Sequence, residues 1–120
     1  MDTTDETIFV SSKSQRILPQ EQKGHGPVLS VLEGKGAPTV LSMQGKDSIK
    51  VGKDATCNVI IHGWLIGTTQ FFLIRRKDGY YIIPQRTWAR TRVNGSKVNG
   101  ERLLNKGDII MAGKNSLKFE

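Results

Sequence analysis

The residues best suited to chemistry lie in one short stretch, Arg86-Thr87-Trp88-Ala89-Arg90-Thr91-Arg92. In an extended chain, side chains alternate with period two, which puts Arg86, Trp88, Arg90 and Arg92 on one side. Guanidinium groups beside an indole attract anions and stack on planar groups. Two readings stand side by side: an anion-accepting patch with an aromatic platform, or an ordinary solvated strand face with Trp88 half buried. Bond-making chemistry is not indicated. There is no Gly-x-Ser-x-Gly, no phosphate loop, no paired-carboxylate signature and no nucleophile with an evident base. His62 follows an apolar run, and the other histidine, His25, stands at no ligand spacing from it. Cys57 is the single cysteine, which excludes an internal disulfide and fits a reducing compartment. It reads as a small core or edge residue. The expectation is a protein that is not an enzyme and has no cofactor and no metal.

The formal charge of +7 over 120 residues attracts polyanions: nucleic acid, anionic lipid, phosphoprotein or acidic peptide. The first thirty residues carry no apolar signal core, and nothing approaches the roughly 20 apolar residues of a membrane span. The chain therefore reads as soluble and cytoplasmic. It ends at Glu120 directly after an apparent strand, so a longer parent protein is a further expectation.

The elements that must position these residues are short strands separated by glycine turns. Met1 to about Pro27 reads as a flexible acidic and polar tail, too poor in apolar residues to offset its ordering entropy. Ile8-Phe9-Val10 is the exception, open to docking as an added strand or to binding a partner. From Val28 the pattern changes. Strands are expected at Val28–Leu32, Thr39–Met43, Ile49–Val51, Asn58–Ile61, Gln70–Arg76, Tyr80–Ile83, Asp108–Ala112 and Ser116–Glu120, with Asn94-Gly95 and Asn99-Gly100 in a turn-rich segment between. Asp78-Gly79 between two aromatic, β-branched runs predicts a hairpin with a type I′ turn, whose central residues need positive φ. No helix is expected. The architecture implied is one all-β sandwich or barrel over 28–120.

Several motifs, in order, resemble the forkhead-associated (FHA) family. Ile49-Lys50-Val51-Gly52-Lys53 resembles its opening hydrophobic strand ending in Gly-Arg. Asn58-Val59-Ile60-Ile61 resembles the Asp-Ile-x-Leu strand that follows. Asn94-Gly95-Ser96-Lys97-Val98-Asn99-Gly100 is close to Asn-Gly-Thr-x-Val-Asn-Gly. Leu103, Leu104, Gly107-Asp108-Ile109-Ile110 and Gly113 are similar to its closing pattern. The resemblance covers roughly Val28 to Glu120 and implies an FHA-type β-sandwich of about eleven short strands, reading phosphothreonine peptides through loops at one end.

The same resemblance implies which residues face the ligand. Lys53 stands where the family has its phosphate-binding Arg. Ile66-Gly67-Thr68-Thr69-Gln70 falls on Val-Ser-Arg-x-His, so Gly67 replaces the Ser, Thr68 the Arg and Gln70 the buttressing His. Asn94, which would hold the peptide backbone, is unchanged. Arginine forks onto phosphate, whereas lysine is a point charge. Gly67 has no hydroxyl, and Thr68 offers one neutral donor. Two lost bonds to a charged group remove roughly 3–6 kcal/mol, against about 8 kcal/mol in a whole micromolar site. The implied phosphothreonine pocket is degenerate, unless Thr68, Thr69, Arg86, Arg90 and Arg92 substitute. Trp64 and Leu65 fall in a loop that faces the ligand, where Trp64 is either an exposed partner contact or a folded-back loop anchor.

Two function classes follow. The first is a signalling or scaffold interaction module binding a protein segment, with or without phosphothreonine, through its loop end. The second is a basic all-β nucleic-acid binder using Arg86, Trp88, Arg90 and Arg92. The acidic start also resembles threonine-containing tails that bacterial Ser/Thr kinases modify ahead of some FHA domains. That makes Thr3, Thr4 and Thr7 candidate phosphorylation sites, against the plainer reading of a disordered leader.

Overall fold

A computed structural model describes residues 26–85 and 91–120. Among the described residues it is a sandwich of two sheets with eleven strands and no helix. The strands are β1 (Val28–Glu33), β2 (Val40–Ser42), β3 (Ser48–Gly52), β4 (Val59–Ile60), β5 (Phe71–Arg76), β6 (Gly79–Pro84), β7 (Arg92–Val93), β8 (Ser96–Lys97), β9 (Arg102–Leu103), β10 (Asp108–Ala112) and β11 (Asn115–Phe119). One sheet has the order β9-β6-β5-β3-β4, the other β2-β1-β11-β10-β7-β8. All pairings are antiparallel except β3 with β4.

Period-two alternation decides what faces inward. Ile49 and Val51, Phe71 and Leu73, and Tyr80 and Ile82 enter the core from the first sheet, and Leu29, Ile110, Leu117 and Phe119 meet them from the second. The Gly turns lie where the chain must reverse. The Arg76-to-Gly79 hairpin forms as expected, but its turn is not type I′. The two turn residues are Lys77 and Asp78, Gly79 pairs with Arg76, and only Gly79 has positive φ, at 137°. Glycine thus follows the turn and absorbs the strand twist, so Asp78 does not need the left-handed region. The pair with both φ values positive is Asn94-Gly95, at 52° and 84°, between β7 and β8.

The far end of the sandwich is closed by Tyr80. Its ring meets Phe119 edge-on, with centroids 5.9 Å apart. Its hydroxyl donates toward the carbonyls of Met43 (3.1 Å) and Lys46 (2.6 Å), tying β6 to the β2–β3 loop. Burial pushes the phenol pKa above its usual value, so it stays a donor at neutral pH. Val28 and Glu120 exchange backbone bonds of 2.7 and 2.9 Å, so the two ends of the folded unit lie side by side. Of the expected tail 1–27, only Gly26 and Pro27 lie among the described residues, and Thr3, Thr4, Thr7 and Ile8–Val10 lie outside them. No helix among the described residues is long and apolar enough to cross a membrane. Tyr80→Phe removes the donor and leaves two carbonyls underbonded, so urea unfolding is expected to show a loss of about 1–2 kcal/mol.

Candidate functional site

Lys53 leaves the end of β3 and meets the loop that precedes β5. Its amide donates to the Gly67 carbonyl at 3.0 Å, and the Asp54 amide donates to the Thr68 carbonyl at 3.1 Å. This approach is close enough to exclude a side chain at Gly52, because a Cβ there would lie 2.2 Å from the Thr68 oxygen. Lys53, Gly67, Thr68 and Thr69 are therefore brought together, although the sequence separates them. Lys53 and Thr68 are exposed, Thr69 is half-buried and Gly67 is buried.

Gln70 holds this corner. It is fully buried. Its Oε1 accepts from the Gly67 amide at 2.8 Å, and its Nε2 donates to Thr91 Oγ1 at 3.0 Å. Its backbone amide donates to Val51 at 2.7 Å, and its carbonyl accepts from Gln85 at 2.9 Å. Gln85 and Thr91 flank residues 86–90, so one residue bonds the chain on both sides of that stretch and the β4–β5 loop besides. The sequence reading put Gln70 at the buttress position but missed Thr91, a buried polar residue in no motif. The signal it offered, a threonine ahead of a short strand, is too common to single it out.

The chemistry of the corner is weakly cationic. A hydrogen bond from Thr56 holds the Asp54 carboxyl below the usual carboxylate range, keeping a negative charge one residue from Lys53. The Gly67 amide is already committed to Gln70. Cys57 lies buried against the Thr68 carbonyl (3.3 Å), and burial pushes its thiol pKa up, which disfavours the thiolate. Among the described residues no group of His, Cys, Asp and Glu side chains is arranged to hold a metal.

Asn94 is engaged elsewhere. Its Nδ2 donates to Asp108 Oδ1 at 2.9 Å and its Oδ1 accepts from the Ile109 amide at 2.9 Å, which pins the β7–β8 turn to β10. Asp108 also accepts from the Asn105 amide at 2.8 Å. One Asn94 amide hydrogen remains outside these bonds. Arg92 is half-buried on β7 and its Nη1 donates to the Gly95 carbonyl at 3.1 Å. Arg86, Trp88 and Arg90 lie outside the described residues.

Trp64 is not a folded-back anchor: it is 86% exposed, the neighbouring Leu65 is 50% exposed, and Leu65 has φ of +69°. A branched side chain in the left-handed region carries strain of roughly 1–2 kcal/mol. Trp64 walls a cleft of roughly 540 Å³ that also includes Lys35, His62, Lys114 and Asn115. Asn115 was missed by the sequence reading. It donates to the His62 carbonyl at 2.8 Å and so ties the stem of the Trp64 loop to the β10–β11 turn.

Residues 49–113 match the family model of the FHA domain. No curated protein matches the chain significantly. Among solved structures it is similar to the Slr1951 protein from Synechocystis, with 22% identity, a TM-score of 0.64, and 78% of this chain and 93% of that one covered. The FHA domain of the CT664 protein from Chlamydia trachomatis matches at 15% identity and TM-score 0.69, covering 78% and 94%. EmbR of Mycobacterium tuberculosis, solved with a low affinity phosphopeptide, matches at 15% and 0.67, covering 78% of this chain and 24% of that one. At these identities the likeness is one of fold.

Gly52→Ala is expected to cost roughly 2–3 kcal/mol, since backbone rather than a flexible side chain must move. Gln70→Ala is expected to cost about 2–4 kcal/mol by leaving the Gly67 amide and Thr91 hydroxyl unsatisfied. Urea unfolding measures both. Backbone NMR of Gln70→Ala should show exchange broadening concentrated in residues 62–69 and 85–91.

Proposed function

The chain belongs to the FHA-domain family, and on that premise we propose that it is a non-catalytic interaction module that binds a protein partner through its loop end, with a degenerate phosphothreonine pocket. The carrying observation is the Trp64-Leu65 tip, held exposed on a strained turn beside a cleft with two lysines. Buried aromatic anchors dominate protein interfaces, and tryptophan is prominent among them. An exposed one on a loop stitched at both stems is already positioned for such a contact.

The substitutions in the pocket support the second half of the reading. Lys53 is a point charge beside an ionised Asp54, Gly67 contributes no hydroxyl, Thr68 offers one neutral donor, and the Asn94 carboxamide already bonds Asp108 and Ile109. EmbR, which shares the fold, was solved with a phosphopeptide. Phosphothreonine is therefore the first ligand to test, with Thr69, Arg86, Arg90 and Arg92 as substitute donors.

The test is titration of the protein with a degenerate phosphothreonine peptide library and its unphosphorylated counterpart, followed by NMR at two salt concentrations. Peptides that bind are expected to shift Trp64 and Leu65, to bind within a few-fold of equally with and without phosphate, and to respond weakly to salt. Trp64→Ala is expected to weaken them by about tenfold or more. Phosphate-dependent shifts at Lys53, Thr68 and Asn94 would show that the pocket has been rebuilt. Binding of single-stranded nucleic acid that falls steeply with salt would favour the basic-patch reading instead.

A further inference from the structure

Two Asn-Gly pairs stand in closely matched local sequence, Val93-Asn94-Gly95-Ser96 and Val98-Asn99-Gly100-Glu101. An asparagine followed by glycine is open to attack by the next backbone amide on its own side-chain carbonyl carbon, because glycine has no Cβ to shield that nitrogen. Both pairs are exposed. What differs is what holds them. The Asn94 carboxamide is bonded at both ends: its Oδ1 accepts from the Ile109 amide and its Nδ2 donates to Asp108 Oδ1, each at 2.9 Å. Its backbone is fixed as well, with φ of +52° and its amide donating to the Ile109 carbonyl at 2.8 Å. Asn99 has none of these restraints. Among the described residues its side chain makes no hydrogen bond. Residues 99–101 also make no backbone hydrogen bond there, between Val98, whose amide donates to the Thr91 carbonyl at 3.0 Å, and Arg102, where β9 begins.

We propose that Asn99 is a site of spontaneous deamidation and isoaspartate formation in the folded protein, and that the fold protects Asn94 from the same reaction. The Gly100 amide gives its proton to solvent base, and its nitrogen forms a bond to Asn99 Cγ. The Cγ–Nδ2 bond breaks and ammonia leaves. Water then opens the resulting succinimide at either carbonyl, giving aspartate or isoaspartate, so one water is consumed for each ammonia released. No oxidant or reductant takes part. At Asn94 the same step must first break two side-chain hydrogen bonds, which makes the attacking geometry rarer by roughly thirtyfold. The carboxylate formed there would also face the carboxylate of Asp108, a like charge at hydrogen-bond distance. The Asn99 product bears on the loop end. Val98, the preceding residue, bonds the Thr91 carbonyl, and Thr91 is held by Gln70. A carboxylate at 99 removes one unit of the positive charge beside the Arg92 and Lys97 pair of β7 and β8. Isoaspartate adds one carbon to the main chain between β8 and β9. Deamidation needs no ligand, so it proceeds whether or not the loop end binds a partner.

Trypsin cuts after Arg92, Lys97 and Arg102 and so places the two pairs in separate peptides, 93–97 and 98–102, which lets one digest read both in the same molecule. The full 120-residue chain is aged in mildly alkaline buffer, folded and, in parallel, in concentrated urea, then digested and followed by mass spectrometry. Isoaspartate is scored by methyl transfer with an isoaspartyl methyltransferase. In the folded chain Asn99 is expected to convert at least about tenfold faster than Asn94. In urea the two rates should come within a few-fold of each other, since the flanking residues match. Gly100→Ala adds a Cβ that meets nothing within 4 Å, so the variant folds, and it should suppress conversion at Asn99 while leaving Asn94 unchanged. Equal rates in the folded chain, or a faster Asn94, overturn the proposal. So does an Asn99 that converts in urea but not in the folded protein, because the fold then restrains both sites.

Discussion

A single buried carboxamide organises the functional end of this molecule. Gln70 contributes one backbone and one side-chain group to each side of the corner where β3, the β4–β5 loop, Gln85 and Thr91 converge. In the low-dielectric interior each of these bonds is strong, and each would be costly to leave unmade. The loops at this end therefore cannot relax independently. Displacing Gly67 strands the Gln70 oxygen, and displacing Thr91 strands its nitrogen. A neutral amide does this without a titratable group, so the corner carries no pH switch at Gln70.

The frame around that corner is built by the same economy of close approach and buried polar bonding. Gly52 lets the β3 backbone pass against Thr68 where no other residue would fit. Asn115 joins the β10–β11 turn to the His62 carbonyl, and Asn94 joins the β7–β8 turn to β10. At the opposite end Tyr80 plugs the sandwich and bonds the β2–β3 loop. The stitched stems hold the tip Trp64-Leu65 displayed to solvent, on a turn whose strain they keep in place. That combination, a rigid loop with an exposed aromatic, limits the side-chain and backbone entropy lost on association.

Much of the fold was legible in the residues. Phe71–Arg76 and Gly79–Pro84 were visible as a hairpin because aromatic and β-branched runs flank a turn, and Val28–Glu33 and Asp108–Ala112 because glycines bound them. The turn type at Lys77-Asp78 was not legible. Asp-Gly permits either a type I′ pair or a turn followed by a glycine with positive φ, and the cross-strand register chose the second. The short strands β8 and β9 were equally opaque, since two residues carry no period. Of the site, the motif order located Lys53, Gly67, Thr68 and Gln70, whereas Thr91 and Asn115 belong to no motif and act only through partners distant in the chain.

By itself the sequence determined the strand-and-turn plan, the basic charge and the family to which the motif order points. These are properties of local composition and spacing, and they survive without knowing what touches what. The tertiary structure alone decided that Gln70 is bonded on every side, that the Asn94 carboxamide turns to Asp108, and that Trp64 stands in solvent. Each of these depends on contacts closed across long stretches of chain. Burial and hydrogen-bond partnership are set by which strands pair and in what register, and no residue carries that information alone.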